Sequence, residues 1–394
     1  MIIQMSRISI VLLGIVALIS SCGKKVQSFD VDKELAKAMK QYEVMLAAHP
    51  DTTKIPHSLN HDGSYHDKPS EWWGSGFFGG TLWYLYEYSQ DQKWKDAAHL
   101  WSMAVAKEQY NTTTHDLGFM VFCPFGKGYQ LTGDSTYLNI LMQGAKSLST
   151  RFDANRGVIK SWDSFRDYDF PVIIDNMMNL DFLFWATKHS GDSSFYKLSV
   201  EHADVTMANH FRPDHSSYHV VCYDDSGKAL AQVTHQGYSD SSAWARGQAW
   251  ALYGYVVMFR ETGDKKYLNH AMSIADFYLN HPNLPADKIP YWDFNAPKIP
   301  NEERDVSAAA IFSSGLLELQ GYVDKETADR YVTEAREMLV NLSQKPYRTE
   351  YGEAGDFLLK HSVGHKPGSI EVDVPLIYAD YYYIEALLRY KSLK

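Results

Sequence analysis

The sequence predicts an all-α protein in which six helical hairpins close into an (α/α)6 barrel. Three observations predict it. A helix–turn–helix unit recurs, most clearly as "LTGDSTYLNI", "HSGDSSFYKL" and "ETGDKKYLNH". The helices alternate between a kind that is small or aromatic on nearly every side and a kind that is amphipathic. The 394 residues are enough to hold all of these helices around one core.

The first stretch of the chain is an address. "MSRISIVLLGIVALISSC" joins one Arg to an apolar run too short to span a bilayer, followed by small residues. Ile19, Ser20, Ser21 and Cys22 resemble a bacterial lipobox. Residues 1–22 are therefore expected to be a lipoprotein signal peptide, with Cys22 lipidated, and 23–394 a single barrel domain. An ordinary signal peptide with an incidental Cys is the alternative. Gly23, Lys24 and Lys25 carry no acidic surface-export run, so a lipid anchor facing the periplasm is expected.

Helices are expected over 31–48, 76–89, 93–109, 117–131, 135–152, 176–189, 194–210, 242–261, 265–281, 305–321, 326–343 and 373–391. The second, "GGTLWYLYEY", is apolar all round and turns through "YSQDQKWKDA" into the third. The fourth turns through Gly133-Asp134 into the fifth, the sixth through Gly191-Asp192 into the seventh, and the eighth through Gly263-Asp264 into the ninth. Each Gly suits a left-handed helix end, and each Asp can cap the helix that follows. The tenth, "SAAAIFSSGLLEL", passes through the looser "GYVDKETADRY" into the eleventh. Such short connections make the partners antiparallel. Even-numbered helices then form an inner ring and odd-numbered ones, such as "DKKYLNHAMSIADFYLNH", an outer ring. An open solenoid of the same hairpins is the rival, opposed by the irregular repeat length. No strand series is expected to interrupt the helices.

Short turns run from inner to outer helices, so the long connections all lead into inner-helix N-termini. In a closed ring these lie at one end. Trp72 and Trp73 precede the second helix, His115 and Asp116 the fourth, and Trp162 and Asp175 the sixth. His219, His235, Gln236 and Arg246 surround the start of the eighth. Trp292 and Asp293 precede the tenth, and His361, Ser362 and Lys366 the twelfth. Loops converging on a rigid scaffold are where binding and catalysis concentrate. Bland explanations compete: Asp116 and Asp175 could be N-caps, Arg246 a salt-bridge partner, and the Trp residues core.

A net charge of −10 argues against a nucleic-acid surface. The 14% aromatic content fits ring-lined grooves of the kind that hold sugars. His57, His61 and His66 match no compact zinc spacing and are expected in a solvated loop. No metal or organic cofactor is expected. Cys123 and Cys222 are expected as buried thiols, with a disulfide between them left open.

Four segments, "THDLGFMVFCPFGKGYQLTGD", "PVIIDNMMNLDFLFWATKHSGD", "THQGYSDSSAWARGQAWALYGYVVMFRETGD" and "EVDVPLIYADYYYIEALLRY", resemble glycoside hydrolase family 88, the unsaturated glucuronyl hydrolases. The resemblance spans nearly the whole mature chain and implies the same barrel. It implies two catalytic aspartates at Asp116 and Asp175, and substrate binding by His115, Gln236, Arg246 and Trp250, together with Trp72 or Trp73 and His219. The implied substrates are lyase-generated oligosaccharides with a 4,5-unsaturated uronate at the non-reducing end. Asp175 would then be the acid/base, desolvated by Phe170 and Met177 and titrating as a pair with Asp116, which stays an anion. Arg246 would bind the uronate or a neighbouring hydroxyl, and Trp250 with Trp72 or Trp73 would form stacking walls. Rival functions are an unsaturated rhamnogalacturonyl hydrolase, a non-catalytic glycan-binding lipoprotein, and a sugar epimerase using His219 and His235. Oligomeric state is not legible.

Overall fold

The recurring turns fold as their residues dictate. Asp91, Asp134, Asp192, Asp264 and Asp324 each accept a backbone N–H at the start of the following helix. Gly133, Gly191 and Gly263 end the preceding helices at φ 69°, 75° and 69°, a region that costs a side-chain-bearing residue about 1 kcal/mol. The computed structural model describes residues 29–393; the expected signal peptide and Cys22 lie outside the described residues.

Twelve α-helices follow among the described residues: α1 (Val31–Ala48), α2 (Gly76–Ser89), α3 (Gln92–Ala104), α4 (Lys127–Thr132), α5 (Ser135–Ser149), α6 (Leu180–Ser190), α7 (Ser193–Asn209), α8 (Ala245–Thr262), α9 (Lys265–Asn280), α10 (Val306–Leu319), α11 (Lys325–Leu342) and α12 (Ile377–Ser392). In α1, Leu35, Ala38, Tyr42 and Met45 recur at spacings of three or four and are fully buried. Inner helices α8 and α10 are buried on nearly every face, as their composition requires.

The inner ring closes. A Cβ on Gly80 of α2 would lie 2.6 Å from the Tyr381 ring of α12, and the Tyr84 hydroxyl donates to Glu385 of α12 at 2.6 Å. The last inner helix therefore packs on the first, and the open solenoid is excluded.

Three inner elements depart from the expected plain helices. Residues Gly118–Gly126 wind as a π-helix ahead of α4, with Pro124 inside it. A proline has no N–H to give an α-helical bond, and wider turns of this kind cluster at functional sites. Residues Ile174–Asn179 form a 3-10 turn ahead of α6. The twelfth helix starts at Ile377 because residues 370–374 form a strand.

That strand belongs to a set the sequence did not betray. Among the described residues, nine short strands build the long connections: β1 (Ile55–Leu59), β2 (Tyr65–Lys68), β3 (Phe152–Asp153), β4 (Val158–Ile159), β5 (Pro171–Ile173), β6 (Val220–Tyr223), β7 (Ala229–Val233), β8 (Ser362–His365) and β9 (Ile370–Val374). They pair antiparallel as β1–β2, β3–β4, β5–β6–β7 and β8–β9. At two to five residues each, they are too short for alternation to register. The two cysteines among the described residues are free: Cys222 is buried in β6, while Cys123 is half-buried rather than buried as expected.

Candidate active site

The sheet β5–β6–β7 ends where the inner 3-10 turn begins, and so delivers Asp175 to the mouth of the barrel. Pro171, Val172 and Ile173 pair with Cys222, Val221 and Val220, and the Ile174 N–H continues the ladder to the His219 carbonyl at 3.0 Å. Asp116 arrives on the neighbouring inner element, just before the π-helix. Asn179 ties the two together, its side-chain oxygen accepting the Gly118 N–H at 2.9 Å. Asn176 anchors the same turn by donating to the Ile159 carbonyl at 2.8 Å. On the far side, Gly254 of α8 would place a Cβ 2.4 Å from that of Met177, so α8 approaches this turn only because residue 254 has no side chain.

Asp116 and Asp175 line one cavity of about 380 Å3, together with His115, Trp72, Trp73, Gln236 and Arg246. Neither acid serves as a helix cap. The Asp116 carboxylate accepts the Thr114 hydroxyl at 2.6 Å, and His115 Nε2 lies 3.3 Å from its other oxygen. Asp175 Oδ2 is buried with no hydrogen-bond partner. Burial raises the Asp175 carboxyl from 3.8 to about 7, and the Asp116 charge adds to this, while Arg246 and the Trp250 indole act against it. The expected desolvation by Phe170 does not occur. Phe170 packs with Val158, Val172, Val221 and Tyr223, on the other side of the sheet from the cluster of Ile173, Val220 and Cys222.

His219 stands behind the wall, 2% exposed. Its Nδ1 accepts the N–H groups of His235 and Gln236, both at 3.1 Å. The proton of the neutral ring therefore sits on Nε2, which lies 3.7 Å from Asp175 Oδ2. Burial holds His219 well below the usual histidine range, with the charges of His235 and Arg246 adding to the effect.

Two sequence-assigned roles change. Trp250 is not a stacking wall: it is fully buried, packed on Phe119 and Tyr382 at 5.2 and 5.3 Å, with its N–H bearing on Asp175. Arg246 lines the cavity, but its guanidinium is largely committed. It pairs with buried Asp305 at 2.9 Å, donates to the Gly364 carbonyl at 2.7 Å, and lies between the rings of Trp244 and Tyr378. Gln236 donates to the same Gly364 carbonyl at 2.9 Å. Both residues thus clamp the β8–β9 hairpin as part of the cavity wall.

Trp162 and His235 also line the cavity. Trp292, Asp293, His361 and Lys366 do not. Asp293 accepts the Tyr238 N–H and Ser242 hydroxyl, Trp292 donates to Glu302, His361 pairs with Asp373, and Lys366 with Glu302 and Glu303. Sequence reasoning missed Glu371, a cavity-lining carboxylate held at 2.8 Å by His57 Nε2. His57 is 1% exposed, contrary to the solvated loop expected for it. The two residues are 314 positions apart, and Glu371 has φ 55°, so no local signal points to the contact. For Thr114, the "THD" spacing was an available signal, because a hydroxyl two residues before an Asp readily reaches it.

The site holds a buried protonatable carboxyl, a second carboxylate, neutral histidines and aromatic walls, at the end where helix N-termini favour an anionic ligand. Residues 38–390 match the model for Glycosyl Hydrolase Family 88. The chain is 45% identical over 331 residues to the unsaturated glucuronyl hydrolase of Formosa agariphila, covering 83% of this chain and 82% of that one. A crystal structure of an unsaturated glucuronyl hydrolase specific for heparin superposes with a TM-score of 0.89 at 46% identity, covering 92% of this chain and 97% of that one. A mutant of the Streptococcus agalactiae unsaturated glucuronyl hydrolase, complexed with dGlcA-GalNAc6S, superposes with a TM-score of 0.78 at 30% identity, covering 91% and 90%.

Proposed function

The chain belongs to glycoside hydrolase family 88, and from that premise we propose that it removes 4,5-unsaturated glucuronate from the non-reducing end of lyase-generated glycosaminoglycan oligosaccharides. The C4=C5 bond of that sugar is an enol ether. Asp175 protonates C4, which places positive charge on C5, shared with the ring oxygen. Water adds at C5 and returns a proton to Asp175, so the acid is regenerated. The resulting hemiketal opens, and the hemiacetal left at C1 expels the neighbouring sugar. Because a double bond is hydrated, the separation of the two carboxylates does not set the stereochemistry as it does in other glycosidases.

The observation that carries this reading is the Asp175 carboxyl. It is raised to about 7, and its Oδ2 is buried 3.7 Å from His219 Nε2 with no hydrogen-bond partner of its own. An acid so placed is half protonated at neutral pH, which suits both giving and recovering a proton. Asp116, fixed by Thr114, supplies negative charge toward C5 and orients water with His115. Gln236 and Arg246 shape the uronate pocket through the Gly364 hairpin, and Trp72 and Trp73 form its ring walls. The site residues and the Cys22 lipid anchor are parts of the same proposal. The test is loss of the alkene absorbance of an unsaturated disaccharide. Asp175→Asn abolishes it while binding persists, and a variant keeping a tenth of wild-type turnover would remove Asp175 from the acid/base role.

A further inference from the structure

Two acids can serve one reaction only if the elements that carry them keep a fixed spacing. Asp116 and Asp175 arrive on different elements, and each is held within its own. The Asp116 carbonyl accepts the N–H groups of Phe119 and Met120, both at 2.9 Å, which locks Asp116 to the start of the π-helix. Asp175 lies in the 3-10 turn Ile174–Asn179, which the Ile174 N–H pins to the His219 carbonyl and Asn176 pins to β4. What remains is the join between the two elements.

Asn179 makes that join. It closes the turn that carries Asp175, is fully buried, and does not line the cavity. Its side-chain oxygen accepts the Gly118 N–H at 2.9 Å, just past Asp116 in the chain. A Cβ at Gly118 would lie 2.3 Å from that oxygen and 2.9 Å from Asn179 Cα. The second of these is backbone, which cannot swing aside, so the clasp requires glycine. Another tie is looser. The Ser161 hydroxyl accepts the Ile173 N–H at 2.9 Å but lies 3.5 Å from His115 Nδ1, at the outer limit for a hydrogen bond.

We propose that Asn179 is a positioning residue for the hydration: it meets no substrate, and its bond to Gly118 sets how far Asp116 stands from Asp175. This rests on Asp175 being the proton donor. The groups facing Asp175 are Asp116, Arg246 and the Trp250 indole of α8, His219 ahead of β6, and Tyr378 of α12. Of these, Asp116 is the one joined to the turn through Gly118. Burial does most to raise the Asp175 carboxyl; Arg246 opposes this and the Asp116 charge reinforces it. Opening the clasp therefore weakens the hold of Asp175 on its proton.

Kinetics on an unsaturated disaccharide across pH, with melting curves, test the proposal. Asn179→Leu keeps the branched shape and loses the acceptor, while Gly118→Ala forces the clasp open from the other side. In both, kcat should fall by about a hundredfold with KM held within about twofold. The alkaline limb of kcat/KM should move to lower pH. Asn179→Asp keeps an acceptor and should recover kcat to within about tenfold of wild type, with its limb no lower than the wild type's. Asn179→Ser, which adds no bulk, replaces either disruptive variant if it does not fold. An unmoved limb, a loss carried by KM, or no recovery in Asn179→Asp overturns the proposal. Such a result beside an inactive Asp175→Asn refutes the clasp alone, whereas turnover persisting in Asp175→Asn refutes the proton-donor reading beneath it.

Discussion

Replacing Asp175 by Asn should stabilise the protein while abolishing its activity, and the size of the gain depends on pH in a defined way. The Asp175 carboxyl titrates near 3.8 when unfolded and about 7 when folded. Between these values the unfolded chain releases a proton that the folded chain keeps. The unfolded state then binds fewer protons, so stability falls as pH rises through this window and levels off above 7. At about 1.36 kcal/mol per pKa unit the full penalty is about 4 kcal/mol. With unfolding entropy near 2 cal/mol/K per residue, that is roughly 5 °C in Tm for a domain of this size. Asparagine has the same shape but never ionises, so any offset of its own does not vary across the window. Melting temperatures of wild type and Asp175→Asn, measured from about pH 4 to pH 8, should diverge by roughly 5 °C in favour of the variant. The kcat/KM of the wild type should fall as pH rises through about 7, where the folded enzyme loses the acid form. A melting difference that stays constant from acid to alkaline pH would refute the buried-acid argument, whatever the activity of the variant.

Three further outcomes are expected. Arg246→Ala leaves Asp305 buried without its partner, a loss of about 3–5 kcal/mol, and frees the hairpin at Gly364, so KM rises as Tm drops. A lowered Tm with unchanged KM would make Arg246 purely structural. Trp250→Phe removes an indole that favours the Asp175 anion, so the alkaline limb of kcat/KM should move to higher pH; a limb that does not move would show the two groups to be uncoupled. Cys22→Ser should shift the protein from the membrane fraction to the soluble fraction of cells, and a variant that still sediments with membranes would contradict the lipid anchor.

By itself the sequence determined the hairpins and much of the site. The Gly-Asp turns, the caps and the small-residue inner helices are signals carried within a few residues of one another, so they could be read along the chain. The convergence of long connections at one end put Asp116, Asp175, His115, Gln236, Arg246, Trp72 and Trp73 at one mouth, where the structure finds them. Tertiary structure decided what those residues touch. Trp250 turns away from the cavity to face Asp175 from behind because Phe119 and Tyr382 enclose its ring. His219 acquires its tautomer from two amides sixteen and seventeen residues away. Glu371 enters the cavity only because a hairpin near the C-terminus meets His57 near the start of the barrel. Ring closure made that meeting, and closure is a property of six inner helices packed at once. No single stretch of chain encodes it, so the residues that depend on it leave no local trace.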